Sequence, residues 1–321
     1  MKILVTGGAG FIGSHLSERL ISDGHSVTVI DNFSTGRASN LANLTGFENF
    51  FLVEGSILDI DVLRPLIDDA DYVFHLAAAV GVFNIVNNPL ASLLTNIRGT
   101  ENVLEAAHAT KTPVFLTSSS EVYGKNISDS LKESDDRILG SPVTLRWSYS
   151  EAKAIDESLA YAYYVEKQLE TRIVRFFNTV GPRQLGAYGM VVPRFVKAAL
   201  ANEPITIYGD GNQTRCFAHV YDVIDAVLAI AFANNTIGKV INIGNDFEIS
   251  INGLAKRVVD ETKSKSDIVY VPYIEAYGEG FEDMERRVPN IDLISQLVGW
   301  KPKRDLSSMI ADISAEMKKS S

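Results

Sequence analysis

Tyr149 and Lys153 stand four residues apart in Tyr149-Ser-Glu-Ala-Lys153. On a helix, positions four apart share a face, so a phenol and an ammonium approach the same point. A free tyrosine has a pKa of about 10, so only about one in a thousand is phenolate at pH 7. A nearby ammonium favours the phenolate, and a shift of ~3 units corresponds to roughly 4 kcal/mol of differential interaction. Such a phenolate is a base for a hydroxyl proton. A second constellation lies near the N-terminus. Gly7, Gly10 and Gly13 follow a short apolar run, Lys2 to Thr6, and a helical pattern begins at Phe11 (Ile12, Leu16, Leu20, Ile21). Strand, glycine turn and helix start are what a dinucleotide pyrophosphate requires: glycines admit the phosphates to the backbone, and the helix N-terminus supplies positive partial charge.

A second apolar strand, Val27 to Ile30, ends in Asp31, where a carboxylate binds an adenosine ribose diol and repels a 2′-phosphate. The dinucleotide expected is therefore NAD, the opposing feature being Arg37 in Ser34-Thr-Gly-Arg37, a cation within reach of a 2′-phosphate. The chemistry these parts describe is removal of a hydroxyl proton by Tyr149 while a hydride leaves for NAD⁺, whose nicotinamide cation also favours the phenolate. Thr117-Ser-Ser-Ser-Glu-Val-Tyr-Gly124 lies at the carboxyl end of a strand, where such folds bind ligands. A hydroxyl there, Ser119 with Ser120 beside it, would hydrogen-bond the reacting oxygen. Arg215, in Tyr208-Gly-Asp-Gly-Asn-Gln-Thr-Arg215, suits phosphate through its planar fork, the alternative being an ordinary surface arginine.

The elements that must position these groups alternate. After the first two strands, Phe50 to Glu54, Asp71 to Ala77, Val114 to Thr117 and Thr171 to Phe177 read as strands, and helices are expected from about Leu90 to Ala109, after Pro89, and from about Ser148 to Lys167. This order predicts an α/β, Rossmann-type doubly wound parallel sheet with right-handed crossovers. After Asn178 the pattern breaks at Gly181-Pro182, Gly186, Gly189 and Pro193; Ile205 to Tyr208 is a short strand, Tyr221 to Ala233 a helix and Val240 to Ile243 a strand able to complete the sheet. From Glu248 come a helix, a strand (Ile268 to Val271), an irregular stretch (Tyr273 to Pro289) and two closing helices. The expected division is a NAD-binding domain of 1–177 plus about 219–244 and a smaller, discontinuous α/β substrate lobe of about 178–218 plus 245–321.

With 321 residues, 46% of them apolar, the chain has material for both units. Forty acidic against thirty basic residues give a formal charge of −10, which argues against non-specific nucleic-acid or anionic-membrane partners. Cys216 is the only cysteine, and the five histidines lack metal-ligand spacing, so no disulfide and no metal site are expected. A strand entered at residue 2 leaves no room for a signal peptide, and no apolar run approaches membrane-spanning length. A cytoplasmic location is the expectation.

Gly7, Gly10 and Gly13, His75-Leu-Ala-Ala78, Ser118-Ser-Ser-Glu-Val-Tyr-Gly124, Tyr149 with Lys153, Arg175-Phe-Phe-Asn178 and Gly181-Pro-Arg183 together resemble the extended short-chain dehydrogenase/reductase family, the NAD-dependent nucleotide-sugar epimerases, dehydratases and decarboxylases. The resemblance covers nearly the whole chain. It implies oxidation of a nucleotide sugar, a UDP-sugar by preference, at C4. It extends the cofactor site to Phe11, Ile12, Asn32, Ser34, Gly36, Ser56, Ile57, Leu76, Ala77 and Ala78, with Ser56 standing where a family aspartate often contacts adenine. It places Asn178, Val192, Tyr208, Arg215, Asp283 and Arg287 against the substrate. It also implies a homodimer through the helices at 90–109 and 148–167, which carry Leu93, Leu94, Val103, Leu104, Ile155, Leu159 and Tyr163; burial inside the monomer is the alternative.

Glu121 resembles the dehydratases and decarboxylases rather than simple 4-epimerases, although typical dTDP-glucose dehydratases carry Asp-Glu where this chain has Ser120-Glu121. Two stretches resemble UDP-glucuronate decarboxylases: Arg146-Trp-Ser-Tyr149 after Gly140-Ser-Pro142, and Tyr277-Gly-Glu-Gly-Phe-Glu-Asp-Met-Glu-Arg-Arg-Val-Pro289, with Arg287 at an active-site arginine. Phe281 and Arg286 depart from that pattern. The expected reaction is decarboxylation of UDP-glucuronate, with Tyr149, Lys153, Ser119, Ser120, Glu121 and Arg287 as the catalytic set. A 4-epimerase, a 4,6-dehydratase that uses Glu121 as its C5 base, and a non-catalytic NAD sensor are the alternatives.

Overall fold

The structure is a computed structural model and describes residues 1–81, 85, 87–186, 190–277, 284 and 286–319. The first half alternates β1 (Lys2–Thr6), α1 (Phe11–Ser22), β2 (Ser26–Asp31), β3 (Phe50–Glu54), α2 (Ile60–Asp68), β4 (Tyr72–His75), α3 (Pro89–Thr110), β5 (Val114–Ser119), α4 (Ser148–Lys167) and β6 (Thr171–Phe176). The second half contains β7 (Thr179–Val180), α5 (Val191–Ala201), β8 (Ile205–Tyr208), β9 (Thr214–Cys216), β10 (Ala218–His219), α6 (Val220–Ala231), β11 (Val240–Ile243), β12 (Glu248–Ser250), α7 (Ile251–Thr262), β13 (Ile268–Val271), α8 (Tyr273–Tyr277), α9 (Asp292–Val298) and α10 (Leu306–Lys319).

Seven strands form one parallel sheet in the order β3-β2-β1-β4-β5-β6-β11. The chain runs outward from β1 in one direction and from β4 in the other, so the loops after these two neighbours part and leave a crevice at the carboxyl ends. Strand alternation sends side chains to both faces. Ile3 and Val5 of β1 pack with Leu16 and Leu20 of α1 and Val223 and Val227 of α6. Leu4, between them, packs with Leu63 and Ile67 of α2 and Val103 and Leu104 of α3 on the other side. Val103 and Leu104, expected on a dimer face, are thus core residues of the monomer. Leu93, Leu94, Leu159 and Tyr163 are half-buried, and Ile155 is exposed.

A further cluster joins Val192, Phe195 and Val196 of α5, Leu254 and Val258 of α7, and Met309, Ile310 and Ile313 of α10. Short strand pairs join its segments, β8 with β13 and, antiparallel, β9 with β12, while β7 pairs with β10 where Ala218 enters the sheet's cluster. Ile294 and Trp300 lie in the sheet's cluster instead, although the expected lobe includes them. The Trp300 indole donates to the Asp222 carbonyl (3.0 Å), tying that segment to α6.

Three features are not announced by the sequence pattern. α2 has Pro65 inside it and is held at its start by Asp59, whose carboxylate accepts from Asp61 N and Val62 N. Pro193 does not break the chain: it is the third residue of α5, where no intrahelical hydrogen bond is lost. The β9–β12 ladder is only three residues long and joins segments more than thirty residues apart, so nothing local announces it. Among the described residues no helix is long and apolar enough to cross a membrane.

Candidate active site

The crevice at the strand ends continues beneath α5, β9 and Arg287 as one cleft of about 720 Å³. Gly7, Gly10, Phe11, Ile12, Gly13, Asp31, Asn32, Ser34, Ser56, Ile57, Leu76, Ala77 and Ala78 line it, as do Ser119, Ser120, Glu121, Tyr149, Lys153, Asn178, Val192, Tyr208, Arg215 and Arg287. Gly36 does not line it, but a Cβ there would lie 2.9 Å from Asp31 Oδ2, so its smallness lets the loop close on that carboxylate. Asp283 and Phe281 lie outside the described residues.

The glycine loop is built for close approach. Gly7 has φ +69°, and a Cβ there would lie 2.7 Å from Ala77 N; a Cβ on Gly13 would collide with the Gly7 carbonyl. α1 starts with no side chain capping it, so the N–H groups of its first turn remain for a ligand. Asp31 accepts from Ala9 N (2.9 Å) on Oδ2 and from Phe33 N (2.8 Å) on Oδ1. Burial pushes its pKa up and these two donors pull it down. Each oxygen keeps a lone pair for a ribose hydroxyl. The Arg37 side chain is exposed, and its N–H is bonded to the Ala9 carbonyl.

Tyr149 and Lys153 share a face of α4, and Ser119, at the end of β5, hydrogen-bonds the phenol. The expected depression of the phenol pKa is not what the protein alone produces. Burial, then the Glu121 and Asp156 carboxylates, push it well above the ordinary tyrosine value against the Ser119 bond. The ammonium of Lys153 is engaged elsewhere, donating to the Thr117 carbonyl (3.0 Å) and to Asp156 (3.2 Å).

Glu121 sits between two guanidinium groups. Arg287 Nη1 is 2.6 Å from Oε1, and Arg146 Nη1 is 2.6 Å from Oε2. Arg287 Nη1 also donates to Ser120 Oγ (3.2 Å). Burial raises the Glu121 pKa, but Arg287 and Arg146 outweigh it and bring the carboxyl to about 2. At neutral pH Glu121 is therefore an anion held between two guanidinium groups. Arg146 belongs to the cluster although sequence reasoning noted it only as a neighbour of Tyr149. It is buried, lines the cleft and lies against the Trp147 ring (5.4 Å to the centroid).

Across the cleft, Arg215 is 7% exposed, which excludes the surface-arginine alternative. Its Nη1 donates to the Thr214 carbonyl (2.8 Å). Asn178 donates to the Cys216 carbonyl (2.9 Å), and Arg194 stacks over Tyr208 at 4.3 Å.

A sequence model of the NAD dependent epimerase/dehydratase family matches residues 3–244. The chain belongs to this family. NAD is the family's cofactor, and the glycine cradle, uncapped α1 and Asp31 fit it. Among its relatives is a UDP-N-acetyl-alpha-D-glucosaminuronate decarboxylase from Bacillus cytotoxicus, 41% identical and covering 94% of this chain and 92% of that one. UDP-glucuronic acid decarboxylase 1 of Xenopus tropicalis is 38% identical, covering 94% and 68%. The crystal structure of a UDP-glucuronic acid 4-epimerase from Bacillus cereus, in complex with UDP-glucuronic acid and NAD, superposes with a TM-score of 0.90 at 30% identity over the whole of both chains. Within this epimerase/dehydratase fold, Arg146 and Asp156 are the charged groups around Tyr149 that the expected site lacked. Arg146 carried a faint signal, an arginine three residues before the tyrosine; Asp156 carried only its place one turn beyond the lysine.

Proposed function

We propose that the chain decarboxylates a UDP-hexuronate after oxidising it at C4. The observation that carries this reading is the Arg146–Glu121–Arg287 cluster: two cations against one anion leave a net positive charge on the cleft wall beside Tyr149 and Ser119. A neutral hexose has no use for such a wall, whereas a sugar carboxylate does. NAD⁺, when bound, accepts the hydride from C4. Tyr149 takes the C4 hydroxyl proton, and Ser119 donates to the same oxygen. With C4 a ketone, the C5 carboxylate is that of a β-keto acid, and loss of CO₂ sends the electron pair of the breaking C–C bond towards the C4 oxygen. Tyr149 and Ser119 stabilise that oxygen, Arg287 and Ser120 hold the carboxylate across the carbonyl plane, and C5 then takes a proton from a water molecule in the place the CO₂ leaves.

Arg215, Asn178 and Tyr208 serve the nucleotide diphosphate, in a substrate lobe of about 178–218 and 245–321 that has its own apolar cluster, apart from the segment around Ile294 and Trp300 that packs on the sheet. The enzyme works in the cytoplasm as a homodimer; exposed Ile155, Tyr161 and Val165 on α4 support the pairing. A 4-epimerase is the second reading, and the similarity to the B. cereus epimerase favours it. The test is ¹⁴CO₂ release from carboxyl-labelled UDP-glucuronate and from its 2-acetamido counterpart, beside an assay for C4 inversion. Inversion without CO₂ would leave the isomerase in place of the decarboxylase. NAD⁺ is expected to bind at least tenfold tighter than NADP⁺, since Asp31 opposes a 2′-phosphate; calorimetry with both dinucleotides decides it.

A further inference from the structure

Hydride transfer accounts for Tyr149 and Lys153 but not for what lies behind them. Asp156 follows Lys153 by three residues on α4, so helix geometry delivers its carboxylate to the ammonium. The two side chains are 0% and 3% exposed and 3.2 Å apart. Asp156 is in turn hydrogen-bonded to Thr100 of α3. Thr100 Oγ1 lies 3.2 Å from His75 Nε2, and His75 Nδ1 lies 2.8 Å from Thr6 Oγ1. Thr6 Oγ1 accepts from Ala77 N (3.2 Å). A buried chain of polar contacts therefore runs from the lysine beside Tyr149 to the loop that lines the cofactor's part of the cleft.

The other charges that face this pair are accounted for. Glu157, next on α4, is taken by Arg175 of β6 (2.7 and 2.9 Å) and by Ser118 of β5 (2.5 Å). Burial, with Lys153 near it, keeps His75 of β4 neutral, its pKa brought down to about 3. Glu121 is held by its two arginines. Lys153 is left with Asp156 as its own counter-ion.

We propose that Asp156 is a positioning residue that pairs with the Lys153 ammonium and withholds its charge from Tyr149, so that the phenol loses its proton only beside the nicotinamide cation. This rests on the reading of Tyr149 as the base and NAD as the cofactor. An unpaired ammonium in so dry a place would favour the phenolate at all times. With its charge cancelled, the remaining cation is the oxidised nicotinamide, which is neutral once reduced. Tyr149 is then a base while the cofactor is oxidised and a protonated acid afterwards, as the two halves of the reaction require. The upward push on Tyr149, to which Asp156 contributes, agrees with this.

The test reads the phenol itself. The ultraviolet phenolate signal of Tyr149 is taken as the difference between each protein and its Tyr149→Phe counterpart, titrated with and without NAD⁺. Without NAD⁺ the parent is expected to titrate above ~10, and Asp156→Asn to titrate ~1 unit or more lower. NAD⁺ is expected to lower the parent's midpoint, and Asp156→Glu, which restores the charge, to return the midpoint towards the parent's. Asp156→Ala repeats the measurement should the asparagine variant fold poorly. An unchanged or raised midpoint in both the Asn and Ala variants would overturn the role of Asp156. No sugar turnover enters this readout, so the wrong choice of substrate would leave it standing, whereas full activity of Tyr149→Phe would remove the base on which it rests.

Discussion

Lys153–Asp156, behind Tyr149, and Arg146–Glu121–Arg287, along the cleft wall, are two solutions to the problem of keeping charge out of water. The inner pair sums to zero, and its remaining hydrogen bonds go to the Thr117 carbonyl and Thr100, both inside the protein. The outer cluster sums to +1, with side chains 6, 15 and 8% exposed, and Arg287 Nε has no partner among the described residues. Buried charge is costly unless paired and hydrogen-bonded. The balanced pair meets that cost through its opposite charges, although Asp156 Oδ1 has no hydrogen-bond partner among the described residues. An unbalanced one is completed by a ligand of the missing sign. On the proposed reading, the inner pair governs where a proton resides and the outer cluster governs which substrate comes.

The largest effect should come from the group that stands between the two. Tyr149→Phe keeps the ring and removes the acid/base, so kcat is expected to fall about 10³-fold while NAD⁺ affinity holds within about twofold. Stopped-flow reduction of NAD⁺ and calorimetry separate the two quantities. Near-full activity would mean that neither set of charges is arranged about the reacting proton. Next comes Arg287→Ala, which strips the outer cluster of its excess charge. A loss of roughly 100-fold in kcat/KM for a carboxylate sugar is expected, as for truncating one side of a buried charge pair. Oxidation of a UDP-hexose without a carboxylate should change far less. Equal losses on both substrates would break the division of labour, because they would make Arg287 a diphosphate or structural group.

The two regions were also unequally legible in the sequence. β1, β3, β11 and β13 and the long helix α4 have the bounds their apolar runs and flanking glycines announce, and the glycine loop, Asp31, Ser119 and Tyr149 follow from them. These features are local, set by spacing along one strand or helix. α5 was hidden by Pro193, which punctuates a chain everywhere except in a helix's first turn. The clefts' charges were hidden for another reason. Glu121, Arg146 and Arg287 come together over more than 160 residues of sequence, and only their meeting makes Glu121 a fixed anion. The Tyr149 proton affinity of the protein alone was hidden as well, because burial raises it first and the Glu121 and Asp156 carboxylates after it, and burial is visible only in the folded chain.

The smallest of the expected effects sharpens the contrast through pH. With the Glu121 carboxyl at about 2 in the folded protein, against 4.5 for a free glutamate, its folded pKa is depressed. Its contribution to stability is therefore fully present above pH ~4.5 and is lost as pH falls through ~2, and it amounts to roughly 3 kcal/mol. Glu121→Gln should unfold more easily than the parent at pH 7, and the difference should shrink by roughly 2 kcal/mol by pH 3. Calorimetric unfolding at the two pH values reads this directly. On activity the same substitution should lower kcat/KM only about tenfold, since Gln still accepts from both arginines through one oxygen but no longer holds them by charge. The shape of the pH–rate profile should not change, because a carboxyl at about 2 does not titrate where the enzyme works. An acid limb that disappears in Glu121→Gln would show a carboxyl that exchanges its proton during turnover. The outer cluster would then be part of the proton path, and the distinction between it and Lys153–Asp156 would fail.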